Sequence, residues 1–184
     1  MAFWQKSFYL TYTRYSDNMR PVAIELEKTS NMNDSKHAIL YLMNEYCYRI
    51  DAGDLEGFAR LFEHATFHVL GDPDGARTGS GEVLELLEQV TLYDGKTHTK
   101  HVLTNVQIDV NETDGTATAQ SYITVYQAVP PDFPLQAIFI GHYHDRFERA
   151  GSGWRFKQRE ISPDLIGDLS FHRSDMAREH EDQK

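Results

Sequence analysis

Three helices are predicted in the first half of the chain by apolar residues that recur with a helical period. From Asp34 onward these residues occupy one face of a 3.6-residue repeat: Ile39, Leu42, Met43, Tyr46, Cys47 and Ile50. The predicted helix stops at residues 51–54, where Gly53 interrupts the pattern and Asp54 can cap a second helix. That second helix carries Leu55, Phe58, Ala59 and Phe62, and a third starts near Gly81 with Val83, Leu86, Leu87 and Val90.

Beyond Lys100 the hydrophobic period changes to two, which predicts strands. The β-rich runs are 101–110, 116–129, 136–149 and 154–162, and a shorter strand is expected at Ala65–Leu70. Helices that precede a meandering sheet indicate an α+β fold. We expect three N-terminal helices packed in a strongly curved, mostly antiparallel sheet, a cone-like α+β barrel whose inner polar residues are candidates for a site.

The length of the chain, 184 residues, is that of one domain. We place this domain at residues 32–172, after an N-terminal extension at 1–31 and before a charged C-terminal tail at 173–184.

Charge and composition narrow the class of partner. With 18 basic and 28 acidic residues, the formal charge of -10 repels phosphate backbones and disfavours nucleic acid. No apolar run approaches the roughly 18 residues of a membrane span, and charged residues interrupt any secretory signal at the N-terminus. Cys47, the only cysteine, excludes an intramolecular disulfide and a cysteine-clustered zinc site. We therefore expect a cytoplasmic protein with a small-molecule partner.

Three titratable residues are candidates for proton-transfer chemistry. Tyr46 lies on the apolar face of the first predicted helix, Asp51 lies at its end, and His101 opens the first long strand. A carboxylate that accepts from one imidazole nitrogen fixes the tautomer, so that the other nitrogen can take a substrate proton. The spacing alone is a weak signal, because Tyr46 and Asp51 are about 140° apart on a continuous helix. Each residue also has a purely structural explanation. Tyr46 can be a core residue, Asp51 a cap-like acid in a loop, and His101 a strand histidine whose hydrogen bonds are satisfied.

Four segments in order resemble the SnoaL-like family of the nuclear transport factor two-like superfamily. They are residues 46–62, His101–Asn105, Tyr143–Phe147 and Gly153–Arg159. The resemblance covers about residues 35–172 and implies a cone of curved sheet around helices. Members of the family include scytalone dehydratase, bile-acid dehydratase, a lindane dehydrochlorinase and polyketide cyclases, so the fold does not fix the function.

The resemblance also implies roles for particular residues. The eliminating members use an Asp-His pair, which falls on Asp51 and His101, and the bile-acid dehydratase has a catalytic tyrosine that falls on Tyr46. A pocket arginine corresponds to Arg159, whose other explanation is a surface ion pair. Further substrate contacts are expected from Tyr122, Tyr126, Phe139, His144 and Trp154.

These residues predict a cofactor-independent lyase, isomerase or cyclase that acts on a hydrophobic cyclic or polyketide-like molecule. A first alternative is a non-catalytic ligand-binding or accessory subunit, which the same superfamily includes. A minor alternative is a metal enzyme, because His142 and His144 share one strand face with Glu148, in partial likeness to a cupin metal motif. The resemblance further implies a homo-oligomer, either a dimer or a trimer.

Overall fold

The computed structural model describes the backbone of residues 20–175 and the side chains of residues 34–175. Within this range helices precede most of the sheet, as predicted. The elements in chain order are α1 Arg20–Ala52, α2 Leu55–Arg60, β1 Thr66–Val69, β2 Arg77–Thr78, α3 Gly79–Leu87, β3 Thr99–Asn111, β4 Thr116–Val129, β5 Phe133–Ala150 and β6 Gly153–Ile166. The α+β class is thus confirmed.

The six strands form one mixed sheet in the order β2-β1-β6-β5-β4-β3. The β1–β6 pair is parallel and the other four pairs are antiparallel. The sheet is not closed, since β2 and β3 occupy its two edges. Register shifts in the ladders, such as the one between Thr104 and Gln107 of β3, bend the strands around the helices.

The core lies between α1 and the inner face of the sheet. From α1 it contains the buried side chains of Ile39, Met43, Tyr46 and Ile50. The β4 strand alternates strictly between its two faces: Ala117, Ala119, Ile123 and Val125 are buried, whereas Tyr122 and Tyr126 on the opposite face are 48% and 40% exposed. The helices therefore cover only one side of the sheet.

The largest differences from the predicted elements concern α1 and β2. Helix α1 begins at Arg20 rather than near Asp34, with Pro21 in its first turn, where a missing N–H costs no helical hydrogen bond. The two-residue strand β2 has no periodicity to signal it and was not predicted.

Parts of the predicted extension and tail, at residues 1–19 and 176–184, lie outside the described residues, so the predicted domain boundaries stay predictions. No helix in the described range is long and apolar enough to cross a membrane.

Candidate active site

Asp51 and His101 meet where the last turn of α1 packs against the start of β3. The Oδ1 atom of Asp51 lies 2.7 Å from Nδ1 of His101, and the two side chains are only 9% and 7% exposed. Oδ2 of the same carboxylate accepts the backbone N–H of His101 at 3.0 Å. One carboxylate therefore fixes both the imidazole ring and the strand that carries it.

The end of α1 explains how Asp51 reaches this position. Gly53, at a φ of 78°, ends the helix in a Schellman motif, in which its N–H donates to Ile50 O and that of Asp54 donates to Arg49 O. A Cβ on residue 53 would lie 2.1 Å from the carbonyl oxygen of Gly95, so only glycine fits. Asp51 thus lies in the last helical turn, beside the segment that leads into β3.

Hydrogen bonds keep the Asp51 carboxyl ionised. Burial acts to raise its pKa, but the opposing effects of His101, through its ring and backbone, and of the Thr99 hydroxyl prevail and lower the pKa. Thr99 donates to Oδ1 at 2.7 Å. With Asp51 ionised and able only to accept, Nδ1 of His101 is the donor, which leaves Nε2 without a proton in the neutral ring.

Buried polar side chains continue this network behind the pair. The hydroxyl of Thr97 lies 2.7 Å from that of Thr99 and donates to the Ile50 carbonyl at 3.1 Å. The side chain of Gln127 on β4 donates to the Thr97 carbonyl at 3.1 Å. The network ties α1, the segment before β3 and β4 together at the site.

A cleft of about 1470 Å³ opens beside the pair, and both His101 and Tyr46 line it. Its apolar wall includes Val125, Ile138, Phe139, Ile161 and Leu169. Phe139, one of the expected substrate contacts, lies in this wall. A cleft with this lining suits a hydrophobic molecule with a few polar groups.

Tyr46 projects from the inner face of α1 into the core beside His101. Its ring centroid lies 6.2 Å from that of His101, in an edge-on arrangement. Burial raises the pKa of Tyr46 to about 12, so the phenol is neutral and remains a hydrogen-bond donor. Its oxygen accepts the hydroxyl of Tyr143 at 3.4 Å.

Arg159 is fully buried behind these two tyrosines rather than at the surface. Its guanidinium carbon lies 4.1 Å from the centroid of each ring, that of Tyr46 and that of Tyr143. It forms a two-pronged ion pair with Asp145, at 2.8 and 2.6 Å. Burial alone would lower the pKa of Arg159, but Asp145 outweighs it and raises the pKa. Arg159 is not among the residues that line the cleft.

The other expected substrate contacts do not converge on the cleft. Tyr122 and Tyr126 lie on the outer face of the sheet, as does His144, which lines a small surface hollow with Gln120 and Glu160. Trp154 is buried elsewhere, with the guanidinium of Arg149 4.6 Å from its ring centroid. The direction of these side chains follows strand alternation, since outer-face residues share one parity.

His142 also lies on the outer face, where its Nδ1 is 2.7 Å from the Asp164 carboxylate. The ring of His142 stacks on that of His144 at a centroid distance of 6.2 Å. Among the described residues, no three histidine, cysteine or acidic side chains are grouped so as to hold a metal ion.

Several residues at the site were not predicted. Thr99 and Thr97 support the Asp51 carboxylate, Tyr143 and His172 line the cleft, and Asp145 pairs with Arg159. The positions of Tyr143 and Asp145 could have been predicted from the alternation along β5. Both are buried on the same face as Phe147, between residues of the opposite face.

Comparison with known proteins identifies the family of this chain. The model of the SnoaL-like domain matches residues 33–160. The chain belongs to the SnoaL-like family. The chain has the NTF2-like α+β fold. No curated protein sequence matches the chain.

Solved structures share the fold of this SnoaL-like protein. An NTF2-like protein with a cystatin-like fold from Novosphingobium aromaticivorans is 21% identical, with a TM-score of 0.63, and the match covers 87% of this chain and 97% of that one. A proposed scytalone dehydratase from the same organism is 23% identical at a TM-score of 0.62, over 77% and 91% of the two chains. LinA is 17% identical at a TM-score of 0.61, over 77% and 93%. At these identities the similarity establishes the fold alone.

Proposed function

We propose that this SnoaL-like protein is a cofactor-independent lyase of the dehydratase type, acting on a hydrophobic cyclic or polyketide-like small molecule. The observation that carries the proposal is the 2.7 Å contact between Asp51 and His101 at the wall of a large, partly apolar cleft. An accessory subunit has no need of a buried carboxylate that fixes a cleft-lining imidazole.

His101 is the proposed general base. Because Nδ1 donates to Asp51, Nε2 is the nitrogen that can accept a proton from a substrate carbon. As the imidazolium forms, the Asp51 carboxylate stabilises its charge in a site where both side chains are almost fully buried.

Tyr46 is the proposed donor to the substrate oxygen that gains charge or departs. Its neutral phenol lines the same cleft as His101. Arg159 does not reach the cleft surface, so its position supports a role in which it holds the rings of Tyr46 and Tyr143 by cation–π contact.

The elimination balances without a cofactor. Nε2 of His101 removes a proton from the carbon next to a carbonyl, and the electrons of that C–H bond form the new double bond as the C–O bond breaks. The imidazolium then delivers its proton to the departing hydroxyl, which leaves as water and returns His101 to its neutral form. The same first proton abstraction would begin an isomerisation or a cyclisation.

The test is turnover on a panel of cyclic β-hydroxyketones, followed by mass spectrometry for loss of water and, in D₂O, for incorporation of deuterium. We expect activity in the wild-type protein and a loss of roughly 10² to 10⁴ in rate for His101→Gln, the range for a positioned base. His64→Gln, at an exposed histidine away from the cleft, is the matched control and should keep full activity. Equal rates for His101→Gln and wild type would contradict the proposed mechanism, and ligand binding without turnover across the panel would favour the accessory class.

A further inference from the structure

The segment 169–175 returns after β6 and pairs with residues 89–91, which follow α3, next to the cleft. The N–H of Thr91 donates to the carbonyl of His172 at 2.9 Å, and the N–H of Ser174 donates to that of Gln89 at 2.9 Å. Between them, Arg173 forms an antiparallel bridge with Val90. The backbone of His172 is therefore held in place on both sides.

The same segment is attached to the hydrogen-bond network behind the Asp51–His101 pair. The side-chain amide of Gln127 donates to the carbonyl of Thr97 at 3.1 Å and to that of Phe171 at 3.0 Å. Tyr93 donates a further hydrogen bond to the Phe171 carbonyl at 2.7 Å. One glutamine thus connects the residue before His172 to the segment that supports Asp51.

The imidazole of His172 lines the cleft together with His101 and Tyr46. Its Nδ1 is buried without a hydrogen-bond partner among the described residues. Burial, reinforced by the nearby His101 and Arg173, lowers the pKa of His172 to about 4, so the ring is uncharged near neutral pH. A buried polar group left without a protein partner is costly, and ligand binding is one established reason for a protein to keep one.

His101 and His172 differ in the groups that surround them. His101 lies 2.7 Å from the Asp51 carboxylate, which can stabilise an imidazolium, whereas no described carboxylate hydrogen-bonds to His172. A neutral imidazole without such a partner is suited to hydrogen bonding rather than to proton abstraction.

We propose that His172 is a second substrate-contacting imidazole, which hydrogen-bonds a hydroxyl or carbonyl oxygen of the substrate and so orients the reacting carbon toward His101. The proposal deepens the function proposed above and rests on it, since it assumes that the cleft holds an oxygenated small molecule. It assigns the cleft two imidazoles with separate tasks: His101 moves the proton and His172 positions the oxygen.

The test uses 2-naphthol as a probe ligand and measures its dissociation constant by fluorescence at neutral pH. His172→Leu removes the ring nitrogens and is expected to weaken binding about 3- to 10-fold, the effect of one neutral hydrogen bond. His172→Gln retains an amide that can reach the position of Nε2 and is expected to bind within about twofold of wild type. His64→Leu, at an exposed histidine, is the matched control and should leave binding unchanged.

A second measurement covers the case in which His172→Leu does not fold. In wild-type protein labelled with ¹⁵N-histidine, 2-naphthol should shift the ring signals of His172, assigned by their absence in His172→Gln, and leave those of His64 in place. Unmoved His172 signals, equal affinity of His172→Leu and wild type, or no binding up to the solubility limit of 2-naphthol would each overturn the role of His172.

Failure of this proposal and failure of the proposed function are distinguishable. Unchanged binding in His172→Leu leaves the proton-transfer role of His101 intact, whereas unchanged turnover in His101→Gln removes the base but leaves a measured contact between His172 and the probe.

Discussion

Asp51 accepts hydrogen bonds from two different atoms of His101, from Nδ1 at 2.7 Å and from the backbone N–H at 3.0 Å. The two residues are separated by fifty positions in the chain. Because α1 ends at Ala52 and β3 begins at Thr99, the contact depends on the end of one element meeting the start of another. The carboxylate is thus both a structural anchor for β3 and the partner of the imidazole.

Replacement of Asp51 by asparagine separates these two tasks. The amide keeps one oxygen that accepts hydrogen bonds, but it carries no charge to stabilise the imidazolium and no longer dictates the tautomer of His101. We expect turnover to fall by about 10² or more, measured as kcat/KM on any substrate found in the panel. The control Asp132→Asn, on an exposed turn, should retain full activity, and an Asp51→Asn protein as active as wild type would contradict the role of the carboxylate.

Tyr46→Phe tests the proposed donor. The phenol makes only one long hydrogen bond within the described structure, to Tyr143 at 3.4 Å, so its removal should change stability little. The expected result is a fall in kcat of about 10- to 10³-fold with KM nearly unchanged, as for a donor that acts on developing charge. Tyr41→Phe, at a tyrosine that is 65% exposed, provides the comparison. A Tyr46→Phe variant with wild-type kcat would remove Tyr46 from the chemistry.

The buried ion pair of Arg159 and Asp145 predicts a strongly coupled stability effect. Arg159→Met leaves the Asp145 carboxylate buried without its partner, which should lower the free energy of unfolding by about 3–5 kcal/mol. The double variant Arg159→Met/Asp145→Leu removes both charges and should recover much of that loss. Urea denaturation measures both, and additive losses in the double variant would show that the two side chains are not coupled.

His172 predicts a pH dependence of stability. Its pKa in the folded protein, about 4, lies below the ordinary value of 6.5, so the unfolded state binds a proton first as the pH falls. The His172 contribution to the free energy of unfolding is present above pH 6.5 and is lost progressively between about 6.5 and 4. We expect His172→Gln to lose less stability than wild type across this window in urea denaturation. If the free energy of unfolding changed with pH in the same way in both proteins, His172 would have the same pKa in the folded and the unfolded state.

The pKa of Asp51 is also lowered on folding, so its contribution to stability is lost only as the pH falls through the acidic range of a carboxyl group. The comparison of His172→Gln with wild type above pH 5 therefore reports mainly on the imidazole.

Much of the fold could be predicted because its helices and strands each bury one face. The 3.6-residue pattern from Ile39 to Ile50 marks the half of α1 that packs on the sheet, and the period of two marks β3 to β6. The start of α1 at Arg20 could not be found in this way, because the helical pattern of apolar residues begins only after Asp34. A strand of two residues, like β2, is too short to show any period.

The spacing of Tyr46, Asp51 and His101 was a weak signal by itself, and the resemblance to the SnoaL-like family supported the prediction that they converge. In the structure Asp51 contacts His101, and the ring of Tyr46 lies beside that of His101. The residues of the cleft wall were harder to predict. Strand alternation shows that Tyr122 and Tyr126 share a face of the sheet, but it does not show which face is inside. His172 offered no local signal, since its position depends on how the chain returns after β6.

The proposed mechanism requires Asp51 to hold His101 in the tautomer whose Nε2 is free to accept a proton. The most direct measurement is a long-range ¹H–¹⁵N spectrum of the protein labelled with ¹⁵N-histidine at pH 7.5, with the His101 signals assigned by their absence in His101→Gln. We expect a protonated Nδ1 and an unprotonated Nε2 in wild type, and loss of this strict preference in Asp51→Asn. A wild-type ring with its proton on Nε2 would rule out this role of Asp51.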